Sequence, residues 1–137
     1  MKIEIEQPIS LHMEVFETDD HVPSMHVNAQ IVVSQFQHTC RYNGAFWIEC
    51  ASWERFSDAL RASSWQDAVL QDMSGYFTLA LRKTDEAIRF VWEFTKTDIG
   101  DDRQMKVTFS SKIDGDTFGR IKSEVLDFPI WWRPHNP

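Results

Sequence analysis

Phe77-Thr78-Leu79-Ala80-Leu81-Arg82, then Lys83-Thr84-Asp85-Glu86, then Ile88-Arg89-Phe90-Val91-Trp92-Glu93-Phe94: this stretch decides the fold class. Side chains alternate across an extended chain, so Phe77, Leu79 and Leu81 share one face and Thr78 and Arg82 the other. Lys83 to Glu86 reads as the turn. Ile88, Phe90, Trp92 and Phe94 then alternate with Arg89, Val91 and Glu93. A charged loop, Asp98-Ile99-Gly100-Asp101-Asp102, leads to Met105, Val107 and Phe109, which alternate again. The pattern predicts a three-stranded antiparallel meander with one apolar face.

The same reading extends in both directions. Ile3 and Ile5 alternate with Glu4 and Glu6, a short strand that Pro8 ends. Leu11, Met13 and Val15 form a second. Residues 25–42 are rich in Val, Ile, Thr and Phe and read as one long strand. Asn43-Gly44 then gives a strong hairpin signal, because both residues tolerate positive φ, with Ala45 to Cys50 as the return strand. Ser52 is the expected cap of a helix whose stripe is Trp53, Phe56 and Leu60. Residues 66–72 fit strand or helix. Asp114 or Asp116 caps a second helix with Phe118, Ile121, Val125 and Leu126 on one side, and Pro129 stops it. The tail Phe128 to Pro134 reads as extended and aromatic, and no convincing internal repeat is visible.

The expected architecture is α+β: a mainly antiparallel β-sheet of about six to eight strands with two helices packed on it, in the order β-β-β-β-α-(β)-β-β-β-α. The chain has 137 residues, which fits a single domain, 1–137. Six Trp and ten Phe supply a large apolar payload.

Charge narrows the function. There are 14 Lys+Arg against 21 Asp+Glu, a net of −7. Residues 1–20 alone hold six acids (Glu4, Glu6, Glu14, Glu17, Asp19, Asp20) and one base, Lys2. Such a field repels nucleic acid and an anionic membrane surface unless a local basic patch exists, and none is visible along the chain. No run is long and apolar enough to span a bilayer, and the alternating N-terminus is unlike a signal peptide. A cytoplasmic protein with two reduced thiols is expected. The Asn43-Gly44 register would send Cys40 and Cys50 to opposite faces, so no disulfide is expected.

Motifs for chemistry are lacking. His38 and Cys40 share a strand face, but no second close pair completes a zinc site. Asp114-Gly115-Asp116 starts like a calcium loop, yet the twelfth position is Val125, not the bidentate Glu. No nucleophile elbow, phosphate loop or zincin motif occurs. No catalytic residue, metal or cofactor is expected.

Two features exceed what packing needs. One is the acidic run Glu14, Glu17, Asp19 and Asp20, which also suits a guarded sheet edge. The other is Trp131-Trp132-Arg133, since Trp and Arg are enriched at binding hot spots. Together they mark Glu14, Glu17, Asp19, Asp20, Trp131 and Trp132 as expected protein-binding residues. The chain also resembles the small bacterial immunity proteins of the wall-associated-toxin immunity type. The likeness rests on the N-terminal strands, Ser52-Trp53-Glu54-Arg55-Phe56 with Leu60, the meander Phe77 to Phe109 and the C-terminal helix, over about residues 25–128. It implies a cytoplasmic, non-catalytic protein that binds and neutralises a toxin, many such toxins being basic nucleases. The expected function is therefore a non-catalytic, acidic protein-binding protein, as a monomer or homodimer, with a basic toxin domain as partner. The alternative, motivated by the aromatic content and particularly by Trp47, Trp53, Trp65 and Trp92, is a domain that binds a small apolar ligand in a pocket between sheet and helices.

Overall fold

The structure, a computed structural model, describes residues 1–62, 64 and 66–133. It is α+β, with eight strands and two helices: β1 (Lys2–Ile5), β2 (Ser10–Asp19), β3 (Ser24–Gln35), β4 (His38–Glu49), α1 (Cys50–Arg61), β5 (Asp67–Gln71), β6 (Phe77–Lys83), β7 (Ile88–Thr97), β8 (Gln104–Ile113) and α2 (Gly115–Leu126). The strands make two four-stranded antiparallel sheets, β1-β2-β3-β4 and β5-β6-β7-β8, not one. Each sheet is a meander in chain order followed by a 12-residue helix. A repeat is thus present in the order of elements, although not in the residues. The ambiguous stretch 66–72 contains the strand β5, so the predicted three-stranded meander has a fourth member, Asp67↔Arg82 to Gln71↔Thr78. Among the described residues, no helix is long and apolar enough to cross a membrane.

The Asn43-Gly44 turn is a misreading. The hairpin turns at Phe36-Gln37, and Asn43 and Gly44 lie inside β4, opposite Gln30 and Ala29. Phe36 and Gln37 have φ of 54° and 67°, so two ordinary residues sit in the left-handed region. That costs about 1–2 kcal/mol per residue. The gain is register. Twelve cross-strand pairs form, from Ser24↔Glu49 to Gln35↔His38. A turn at Asn43-Gly44 would give half as many, the last of them Gln37 with Cys50. The observed register also sets Met25, Val27 and Ile31 opposite Ile48, Phe46 and Tyr42, all facing the core. Burying those side chains is worth about 1.5–3 kcal/mol each, which outweighs two strained turn residues. Restoring the preferred turn chemistry where the turn lies, Phe36→Asn with Gln37→Gly, is expected to raise stability by about 1–2 kcal/mol, read from the urea midpoint. Phe36 is 89% exposed, so its ring contributes little to lose.

The cysteine reasoning changes with the register. Cys40 lies exposed on β4 and Cys50 lies buried ten positions on, both as free thiols. Ten residues of nearly extended chain span roughly 33 Å, which forbids a bridge whatever face each occupies.

Ser52 is not the helix cap. α1 starts at Cys50, Glu49 is the N-cap residue without a side-chain cap bond, and Ser52 Oγ accepts from Arg55. The helix grows directly out of β4, and Cys50 N–H donates to Pro23 O, so the chain has no free loop in which a polar cap would sit. Its buried side is Cys50, Trp53, Phe56, Ser57 and Leu60. Asp114 does cap α2, accepting from Thr117 N–H at 2.7 Å. Those bonds hold its carboxyl below the usual range.

The inner faces of the two sheets meet through aromatic rings. Tyr42 lies 5.6 Å from Trp92 and 5.0 Å from Phe94, and Phe46 stacks on Phe77 at 4.4 Å. α1 packs on β5 and α2 on β1, with Glu124 accepting from Glu4 N–H of that edge strand. One continuous core includes side chains from both sheets and both helices.

Candidate functional site

The solvent face of the first sheet is polar at one end and aromatic at the other. Between Val15↔Val27 and Glu17↔His26 the β2–β3 register slips by one, so Phe16 is the extra residue of a bulge. The bulge turns Phe16 outward, 56% exposed. Its ring lies 4.2 Å from His26. His26 in turn stacks nearly parallel on its cross-strand partner Trp47, at 4.5 Å and 12°. Glu17 Oε2 lies 3.2 Å from His26 Nδ1 and holds the imidazole in place. Three strands thus contribute one row: Glu17, His26, Trp47, with Phe16 above it.

Beside this row is an open groove of about 680 Å³. Asp19, Val22 and Ser24 form one side, and Met73 and Tyr76 the other. The second side comes from the β5–β6 turn, which is fastened to β4 by Met73 N–H donating to Trp47 O at 2.8 Å. The turn itself is shaped by Asp72, a buried carboxylate that accepts from Phe77 N–H at 2.8 Å, and by Gly75 at φ 75°. Lys96 Nζ sits 5.6 Å from the Tyr76 ring and lines the groove. Val22 and Met73 are both more than half exposed. Exposed Met, Val and aromatic surface next to carboxylates is the composition of a binding patch with a polar rim.

The expected site residues divide. Asp19 lines the groove, and Glu17 holds His26 in the row beside it. Asp20 follows in the turn after β2, and Asp19 Oδ1 accepts from His21 N–H there. Glu14 lies further along β2, between Lys2 and Asn28, in a separate polar depression of about 210 Å³. Trp131 and Trp132 are not brought to this face. They are half-buried, packed against the core, and edge-to-face at 5.6 Å. Trp132 Nε1–H and Arg133 Nε–H both donate to Glu54 Oε1 on α1. The tail is therefore folded over α1, not extended, and Phe128 packs 4.8 Å from Trp53. Phe16, His26 and Tyr76 were missed in the sequence; the signal available was a lone Phe out of phase with the Leu11-Met13-Val15 alternation.

The tail latch has a pH signature. Bonds from Arg133 and Trp132 hold the Glu54 carboxyl below its ordinary range. A lowered folded value means that the stabilisation is present above the unfolded value near 4.3 and fades as pH falls through the lower folded one. Glu54→Gln is expected to cost about 1 kcal/mol at pH 7, after allowance for solvent screening. The difference from wild type should vanish in acid, as followed by tryptophan fluorescence during urea unfolding. The Cys50 thiol, pushed up to about 12 by burial and by the Glu54 charge, stays protonated and unreactive.

Among the described residues, no group of three or more His, Cys, Asp or Glu side chains is placed to hold a metal ion. Trp53 and Trp92 are core side chains, while Trp65 lies outside the described residues. Between sheet and helix, a depression at β1 and α2 measures about 150 Å³ and an open one at α1 and β5, lined by Ser52, Arg55, Val69 and Gln71, about 300 Å³. Comparison with protein families, with curated proteins and with solved structures finds no match to this chain.

Proposed function

We propose that this chain is a non-catalytic protein-binding protein that captures a basic partner on the aromatic end of its first sheet. The observation that carries the reading is the solvent-facing stack Phe16–His26–Trp47, rimmed by Glu17 and Asp19 and continuous with the Val22–Met73–Tyr76 groove. Large rings held rigid by neighbours supply contact area at little entropic cost, and an acidic rim steers a basic partner toward them. A net charge of −7 adds to that steering. The specific form we favour is a cytoplasmic immunity protein that neutralises a basic bacterial toxin domain, on the strength of the resemblance in element pattern.

The test is direct binding to a basic toxin domain, sought first among the genes next to this one, measured by stopped flow and calorimetry. Phe16→Ala and Trp47→Ala are each expected to weaken the complex by roughly tenfold or more, the hot-spot range. Glu17→Lys with Asp19→Lys should slow association and flatten its dependence on salt, leaving dissociation nearly unchanged. Association rates that ignore ionic strength, or full affinity in the Phe16 and Trp47 variants, would rule the groove out as the docking face.

A further inference from the structure

Among the described residues, the second sheet ends in a strand along which no element but its neighbour packs extensively. In the first sheet, the edge strand β1 has α2 beside it, and β4 is met by the β5–β6 turn at Trp47. In the second, β5 has α1 packed on it, whereas β8 packs extensively only on β7. β8 pairs with β7 over ten consecutive residues, Thr97↔Gln104 to Ile88↔Ile113, with no bulge. Its sequence, Gln-Met-Lys-Val-Thr-Phe-Ser-Ser-Lys-Ile, has no proline. Among the described residues its outer backbone N–H and C=O groups take no other strand, and of these the Lys112 carbonyl accepts from Ser111 Oγ at 2.9 Å.

The two faces of β8 specify what that strand must carry. On the inner side Val107, Phe109 and Ile113 are only half-buried and Met105 is 57% exposed, so the apolar layer stops short. On the outer side the register brings together a basic row that cannot be seen along the chain. Arg82, Arg89 and Lys112 lie directly across from one another on β6, β7 and β8. Like charges placed so repel. Arg82 is balanced by Asp67 at 3.2 Å, but among the described residues the Arg89 guanidinium donates to the neutral Ser110 Oγ alone. Lys112, at the open edge, has no carboxylate opposite it on β7. Lys106 is paired with Glu93 at 3.6 Å.

We infer that β8 accepts, as a fifth strand, an extended segment of a partner protein that alternates apolar and acidic residues. Main-chain bonds to β8 supply the affinity, apolar side chains complete the layer over Val107 and Phe109, and carboxylates meet Lys112 and Arg89. This edge adjoins the groove at Met105, the cross-strand partner of Lys96, but Lys112 stands at its far end and the inference does not rest on the groove.

The probe is a labelled, blocked heptapeptide Glu-Val-Glu-Val-Glu-Val-Glu, compared with its Lys-Val counterpart by fluorescence anisotropy. Amide exchange on β8 locates the site. The acidic peptide is expected to bind at least roughly tenfold more tightly, to protect β8 amides, and to lose that preference in Lys112→Glu. Lys112→Gln, which removes charge without reversing it, should give an intermediate result and guards against a folding defect. Equal binding of the two peptides, no binding of either, or protection elsewhere would overturn the inference. So would a doubled solution mass with β8 amides protected before any peptide is added, which would assign the edge to a second copy.

Discussion

Trp92→Ala is expected to cost about 3–5 kcal/mol, a large part of the roughly 5–15 kcal/mol that holds a domain of this size together. Trp92 is fully buried at the middle of β7. It lies between its cross-strand partners Leu79 and Phe109 and takes the Tyr42 ring edge-on across the sheet interface. Removing the indole opens a hole that rigid strands on both sides cannot close, so the cavity adds to the lost transfer energy. Its Nε1–H is buried without a hydrogen-bond partner among the described residues. Trp92→Phe should therefore cost far less, because relief of an unpaired donor offsets part of the lost volume. Urea unfolding followed by circular dichroism measures both. A loss below about 1 kcal/mol in the alanine variant would mean that the two sheets do not meet as described here.

Gly44→Ala is the second large effect. Methyl groups are usually welcome on strands, but Tyr42, two residues earlier on the same face, lays its ring over Gly44. A Cβ there would stand 2.7 Å from Cζ of that ring and collide with the hydroxyl oxygen. The ring would have to swing away from Phe77, Trp92 and Phe94. Overpacking of this kind costs about 1–3 kcal/mol, and each lost aromatic pair about 0.5–1.5, so a total near 2–4 kcal/mol is expected. The cause is checked by a double-mutant cycle. With Tyr42→Leu in the background, Gly44→Ala should become much milder, a coupling that a loss of local flexibility would not produce.

That glycine explains why the hairpin was misread. Asn-Gly signals a turn through local backbone freedom, whereas here Gly is required because a ring crosses it, a fact that exists only after folding. Elements whose evidence is local were legible. The alternation from Phe77 to Phe109 and the stripes Trp53-Phe56-Leu60 and Ile121-Val125 all appear in the structure. The start of α1 was displaced because Ser52 looks like a cap while the helix in fact continues β4. The groove was only half visible. Glu17 and Asp19 announce themselves by charge, but Phe16 is exposed through a bulge, and His26 meets Trp47 only in the register set by the turn at Phe36-Gln37. The basic row Arg82-Arg89-Lys112 was hidden for the same reason, since its members come from three strands.

The hydrogen bond from Met73 to Trp47 joins the first ββββα unit to the second, so the groove has one bank from each. Because one core runs through both units, neither bank stands without the other. The shape of that groove therefore reports whether the two halves of the molecule have docked on one another.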